Sequence, residues 1–302
     1  MSDNVAHAIS GAGGGIISMI LTYPLITVSS RLQVQKDTKE SDAYKGGWDA
    51  VVKIFNNEGI SGLYSGLNSA IFGIAVTNGI YYYFYETTKK MFEKGNRPMS
   101  VVESIMAGTI AGSATVLVTN PIWVVNTRMT TRKVSLDEDE SEKTKPKKLG
   151  TIATILKIIN EDGFKSFWQG IIPALILVIN PIIQYTVFEQ IKSRIEKMKK
   201  LGNLDFFLLG AISKLVATGS TYPYIVIKSR MQLRQSSQES ARYKSTWDGL
   251  QKIIANEGYG GLYKGITSKL LQSVLTAAFL FMYKEVLFKY TVAFLALRKR
   301  VI

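Results

Sequence analysis

The chain reads Thr22-Tyr23-Pro24 and then Arg31-Leu32-Gln33. It reads Thr119-Asn120-Pro121 and then Arg128-Met129, and later Thr221-Tyr222-Pro223 and then Arg230-Met231-Gln232. In each case the arginine follows the proline by seven residues, and the prolines are 97 and 102 residues apart. A second mark follows each. The first unit has Tyr44-Lys45-Gly46-Gly47-Trp48-Asp49, Asn57-Glu58-Gly59 and Tyr64-Ser65-Gly66. The third has Tyr243-Lys244-Ser245-Thr246-Trp247-Asp248, Asn256-Glu257-Gly258 and Tyr263-Lys264-Gly265. The second has Leu149-Gly150-Thr151, Glu161-Asp162-Gly163 and Trp168-Gln169-Gly170. From the proline to the glycine of the acid-Gly pair is 35, 42 and 35 residues. The seven extra residues of the second unit fit the polar run Lys133 to Lys148, a solvated insertion. Self-similarity at a fixed period marks a repeat architecture, here three units over 1–97, 98–200 and 201–302.

Working outward, each unit holds two long apolar stretches, and the pattern predicts six helices near 5–34, 65–93, 101–131, 170–197, 204–235 and 267–290. A bilayer-crossing helix needs about 20 residues, and each stretch suffices. Gly, Ser, Thr, Asn and Gln recur inside them, which suits one lipid-facing side and one side on a polar cavity. The first, third and fifth stretches each carry a late proline that should kink the helix. Gly11 with Gly15 and Gly108 with Gly112 are small-residue pairs that let helix backbones approach, as does Gly210, paired with Lys214 instead of a small residue. The fold class is an all-α membrane protein: six transmembrane helices, in three tandem two-helix repeats, around a central cavity.

Composition removes several activities. The 302 residues include no cysteine and one histidine, His7. Disulfides and thiolate metal sites have no residues to build them, and with His7 alone near the N-terminus a His-based metal site or a Ser/His/Asp triad is nearly excluded. No metal, no cofactor and no enzyme activity are expected. The net charge is +14, which suits nucleic acid, acidic lipid or phosphorylated small molecules. A nucleic-acid binder needs an exposed basic stripe on a soluble fold, and six apolar spans contradict it. The start, Met1-Ser2-Asp3-Asn4, lacks a basic leader region, so no cleaved targeting segment is expected.

The repeated Pro, the arginine after it, the acid-Gly and the aromatic-x-Gly resemble the mitochondrial carrier family over essentially the whole chain. The resemblance implies three repeats of two transmembrane helices with a short surface helix between them, and an organic anion moved through a central site. The family signature has an acid two residues after each proline and a base five after. Here those places hold Ile26, Trp123 and Ile225, then Ser29, Asn126 and Lys228. With no acid left, the family's inner salt-bridge ring cannot form. The inner gate, here Pro24, Arg31, Pro121, Asn126, Arg128, Pro223, Lys228 and Arg230, must close on apolar packing and hydrogen bonds. The lost acids also suggest a competing class, a membrane scaffold that no longer transports.

The family's outer ring maps onto Glu86 and Lys89, Glu189 and Lys192, and Glu285 with Phe288 in place of a base. Neighbour pairing implies bridges Glu86–Lys192 and Glu285–Lys89, with Glu189 unpaired; ordinary charges at helix ends are the alternative. Within the family, Thr119 to Arg128, Val178-Ile179-Asn180-Pro181 and Lys269 to Ala278 resemble peroxisomal carriers for adenine nucleotides, NAD and coenzyme A. That branch implies a multi-pass peroxisomal membrane protein, the mitochondrial inner membrane being the alternative.

Lys214 and Lys269 stand out as basic residues deep in the spans. A cation there costs several kcal/mol unless it faces water or a counter-ion, so both are read as phosphate contacts, against a packed lysine satisfied by carbonyls. The family's contact places, counted back from the outer acids, give Gly73, Ile176 with Leu177, and Gln272 with Ser273. Asn180 and Gln184 follow on helix four and could read the polar edges of a base. Pro181 should free a carbonyl toward the cavity. Tyr81 to Tyr85 read as a membrane-surface aromatic belt. Lys192-Ser193-Arg194 with Lys197 to Lys200 is a basic cluster suited to anionic phospholipid. The implied partners are a nucleotide or nucleotide-cofactor substrate and the membrane, with the protein a monomer.

Overall fold

The computed structural model describes residues 2–35, 43–93, 99–131, 150–233 and 243–279, without the side chains of 2–12 and of Asn203. The Lys133–Lys148 run, Lys284, Glu285 and Phe288 lie outside the described residues, as does the side chain of His7. All regular structure among the described residues is helical.

The three proline-bearing helices run long and unbroken: α1 (Ser2–Val34), then α5 (Val101–Thr131) and α9 (Asn203–Gln232). Each is followed by an amphipathic surface helix, α2 (Gly47–Glu58), α6 (Thr151–Asp162) and α10 (Thr246–Glu257). A short turn of helix comes next: α3 (Ile60–Leu63), or a 3-10 turn at Phe164–Trp168 and Tyr259–Tyr263. The even helices then follow: α4 (Leu67–Phe92), α7 (Ile171–Ile176) with α8 (Ile179–Glu196), and α11 (266–279, as far as it is described). Five helical segments are long and apolar enough to cross a membrane: Gly13–Val34, Ile60–Phe92, Val101–Thr131, Phe164–Glu196 and Leu204–Gln232.

The three odd helices touch one another pairwise, while α4 packs on α5 and α8 on α9. α11 meets α1 through the hydroxyls of Thr22 and Thr276, 2.9 Å apart. The small residues act as expected on α5. A Cβ at Gly112 would lie 2.9 Å from Val178 Cγ1, and Gly108 faces the Tyr81 hydroxyl. Tyr82 and Tyr83 are exposed, as an aromatic belt requires.

Helix four departs from the single span expected over 170–197. It breaks at Leu177 and Val178 into α7 and α8. Pro181 has no N–H for the Leu177 carbonyl, so the Asn180 N–H takes that carbonyl in a tighter turn, at 3.0 Å. The freed carbonyl expected at Pro181 is thus already used. Pro121 leaves a different vacancy. The Leu117 carbonyl, four residues before it, accepts the Trp168 indole N–H at 3.0 Å.

Candidate functional site

The residue before each gate proline ties the odd helix to the turn that starts the even one. Tyr23 Oη donates to Ser65 O at 3.2 Å, Asn120 Nδ2 to Gln169 O at 3.2 Å, and Tyr222 Oη to Lys264 O at 3.1 Å. Tyr23 and Tyr222 also stack on Tyr64 and Tyr263, with ring centroids 6.2 Å and 6.0 Å apart. The glycine after each of those carbonyls presses on the odd helix of another repeat. A Cβ on Gly170, whose φ is +73°, would lie 3.0 Å from Lys228 O, and one on Gly265, φ +79°, 2.9 Å from Ser29 O.

The three arginines build the closed end. Arg31 makes a two-pronged pair with Glu58, Arg128 pairs with Asp162, and Arg230 makes a two-pronged pair with Glu257. Each arginine also reaches the end of another repeat's odd helix. Arg31 Nε donates to Thr130 O at 3.1 Å, Arg128 Nε to Gln232 O at 3.1 Å, and Arg230 Nε to Gln33 O at 2.9 Å. The contacts run from the first repeat to the second, the second to the third and the third to the first. Arg31 and Arg230 are buried. Burial pushes the Glu257 carboxyl up, but hydrogen bonds from Arg230 and Lys264 outweigh it and hold the group below its ordinary range.

Closure therefore rests on more than the apolar packing and neutral hydrogen bonds expected of a gate without inner acids. The pairing of Arg31, Arg128 and Arg230 with the acid-Gly acids was missed. The signal was available: the arginine-to-acid separations are 27, 34 and 27. The second stretches by the same seven residues as the insertion. The former acid places are filled as apolar neighbours. Ile26 packs beside Met19 and Tyr23, Ile225 beside Tyr222 and Val226, and Trp123 Nε1 donates to Thr77 Oγ1 at 3.2 Å. At the base places Ser29 donates to Ile26 O at 3.0 Å and Asn126 to Gly66 O at 2.9 Å. The Lys228 ammonium has no hydrogen bond or ion pair among the described residues.

At the opposite end, the described residues do not form the expected Glu86–Lys192 bridge. Lys192 meets Glu189 of its own helix at 3.6 Å, and Lys89 meets Glu93 at 3.8 Å. Glu86 is exposed and makes no ion pair among the described residues. The expected Glu86–Lys192 bridge is thus corrected to an intrahelical Lys192–Glu189 contact, and Glu189 is not the unpaired acid. The physical reason is reach: Glu189 lies one turn away on the same helix face, at 3.6 Å. Glu285 lies outside the described residues.

Between the two ends, Lys214 Nζ donates to Asn180 Oδ1 at 3.3 Å. The Asn180 amide donates to Ala217 O at 3.0 Å and Thr221 Oγ1 at 2.8 Å, so here it anchors Lys214 and α9. Lys269 Nζ donates to Gln272 Oε1 at 3.0 Å, and Gln272 Nε2 to Thr276 Oγ1 at 2.9 Å. Ser273 Oγ donates to Lys269 O at 2.9 Å. Lys269 lies within electrostatic range of Lys214 and Lys228. Ile176 at the end of α7 is exposed, and Leu177 in the break and Gln184 on α8 are partly exposed. Gly73 is buried against α5, where a Cβ would lie 3.2 Å from Ile122 Cγ2 and 3.6 Å from the Trp123 ring. Lys197 to Lys200 are exposed.

A bundle of three Pro-bearing repeats, latched at one end and holding in its middle lysines with no carboxylate partner among the described residues, defines a membrane solute carrier. The profile of the mitochondrial carrier protein family matches residues 2–96, 97–199 and 199–293, and the chain belongs to that family. It is 39% identical to the peroxisomal nicotinamide adenine dinucleotide carrier of Arabidopsis thaliana, over 96% of both chains. It is 36% identical to peroxisomal membrane protein PMP47B of Candida boidinii, over 99% of this chain and 89% of that one. It is 30% identical to peroxisomal adenine nucleotide carrier 1 of Glycine max, over 94% of this chain and 90% of that one. The likeness to the peroxisomal branch read from the sequence is borne out by these relatives.

Proposed function

We propose that the protein exchanges adenine nucleotides or nucleotide cofactors (ATP, ADP, AMP, NAD or coenzyme A) across the peroxisomal membrane by alternating access. The observation that carries the reading is the pair Lys214 and Lys269, held in the bundle by neutral amides and paired with no carboxylate among the described residues. A lysine is a point-charge partner for phosphate, and two within range of each other repel until an anion arrives. Ile176, Leu177 and Gln184 supply the apolar and polar wall for the base, Asn180 and Gln272 position the lysines, and Gly73, buried against α5, lies outside that wall in this conformation. A latched inner end, with no bridge between repeats among the described residues of the outer ring, is consistent with one half of such a cycle. The names of the relatives support nucleotide cargo and a peroxisomal address. The protein works as a monomer, and its exposed Lys197 to Lys200 cluster faces anionic phospholipid.

The test is an exchange panel in proteoliposomes loaded with each nucleotide. Uptake of at least one of the five, abolished by omitting internal substrate, is the expected result. Failure of all five to exchange overturns the reading. A fusion protein tagged for microscopy that overlaps mitochondria instead of peroxisomes overturns the address.

A further inference from the structure

Lys228 occupies a gate position, yet it makes none of a gate residue's contacts. Its place, five residues after Pro223, is where an inner salt bridge would form. The three places that would offer a partner are Ile26, Trp123 and Ile225. Ser29 and Asn126, at the same place in the other repeats, are hydrogen-bonded to carbonyls. Lys228 alone of the three is left with a charge and no described partner.

Its position on α9 matters as much. Lys214 and Lys228 are fourteen residues apart, nearly four whole turns, so they share a face of the helix about 20 Å apart along the axis. Lys269 on α11 is within electrostatic range of both. Lys228 and Lys269 are each only partly buried, so both ammonium-bearing side chains keep accessible surface. Three ammonium groups in a row, with Lys269 shared, make two successive gaps between cations. No carboxylate among the described residues pairs with any of the three.

We infer that Lys228 is a substrate contact and not a latch. It extends the Lys214–Lys269 site into a track for a chain of phosphoryl groups, as carried by a nucleoside diphosphate, a triphosphate or a dinucleotide. This rests on the nucleotide reading of the same site, but inorganic probes test it separately. Orthophosphate can fill one gap, whereas tripolyphosphate spans from one into the next. An unpaired cation beside another cation also opposes folding of the empty protein. Binding sites keep such charges at a cost in stability, while structural charges add to it.

The experiment measures detergent melting of the full chain with and without orthophosphate or tripolyphosphate, titrated to obtain each affinity. In wild type, tripolyphosphate should stabilise more than orthophosphate. Lys228→Gln should melt, without ligand, at or above the wild-type temperature. It should lose roughly tenfold in tripolyphosphate affinity, so that its preference over orthophosphate largely disappears, and Lys228→Arg should restore that preference. Lys228→Met repeats the measurement with a side chain of similar shape, should the glutamine disturb packing. A lower ligand-free melting temperature in both Gln and Met variants, with the tripolyphosphate preference intact, overturns the assignment. So does a wild type that tripolyphosphate does not stabilise. If the preference depends on Lys228 but no nucleotide exchanges in proteoliposomes, the anion track stands and the nucleotide reading falls.

Discussion

Replacing Arg230 with Met should open the latched end without unfolding the third repeat. Two kinds of contact are lost. The pairing with Glu257 lies within one repeat, and Lys264 stays 2.6 Å from that carboxylate, so Glu257 is not left uncompensated. The bonds to Gln33 O at 2.9 Å and Gln35 O at 3.1 Å cross to the first repeat and exist only while the end is closed. A hydrogen bond from a charged donor contributes about 1.5–3 kcal/mol. Two at the lower end give about 3 kcal/mol, which raises the open population about a hundredfold. The assay uses the absence of cysteine. A single Ser29→Cys sits at 1% exposure under the latch, with Gly265 pressed on its backbone. A water-soluble thiol reagent should label it about a hundredfold faster in the Arg230→Met background. Arg128→Met, which loses one such crossing bond, to Gln232 O, should accelerate labelling by about tenfold. Unchanged labelling in Arg230→Met, or a larger effect from Arg128→Met, would refute the argument.

Other perturbations follow from the same geometry. Lys214→Gln and Lys269→Gln should each reduce nucleotide affinity by roughly ten- to a hundredfold in proteoliposome exchange, with ligand-free melting no lower than wild type. Gly170→Ala places a Cβ 3.0 Å from Lys228 O at φ +73°, and should cost about 1–3 kcal/mol, read as a lower melting temperature. Trp168→Phe strands the Leu117 carbonyl left by Pro121, and should cost about 1–3 kcal/mol by the same measurement. Because the Glu257 carboxyl is held below its ordinary value of 4.5, its contribution is complete above that pH. It is lost only as the pH falls through the lower folded value. Melting followed from pH 7 to 3 should show a loss confined to the acid end, and Glu257→Gln should remove that part of it.

The repeats, the six helices and the gate prolines are legible because their signals are local. Proline-to-arginine spacing, span length and small-residue pairs each sit within one stretch of chain. The break at Leu177 is half legible: Pro181 announces a missing donor, but not that the Asn180 N–H takes its acceptor. Pairings across repeats are harder. Glu86 and Lys192 have the right charges on the right helices, but a salt bridge depends on separation, which sequence does not give, and Lys192 meets Glu189 of its own helix instead. Lys228 shows the limit most clearly. Its sequence place belongs to a gate, and only the absence of a partner among the described residues, together with Lys269 within electrostatic range, moves it to the substrate path.

The arginine contacts pass in one direction around the three repeats, and this has a consequence for how a linear chain makes a ring. Peptide bonds join the first repeat to the second and the second to the third, but nothing covalent joins the third to the first. That seam has to be closed at the expense of chain entropy, like the last stave of a barrel. It is also densely bonded: Arg230 to Gln33 O and Gln35 O, Lys264 to Gln35 O, Gln33 to the Tyr222 hydroxyl, and Ser229 to Gln33. Where covalent continuity is missing, these non-covalent bonds hold the join alone. The clasp of the ring is therefore the seam between its first and last repeats.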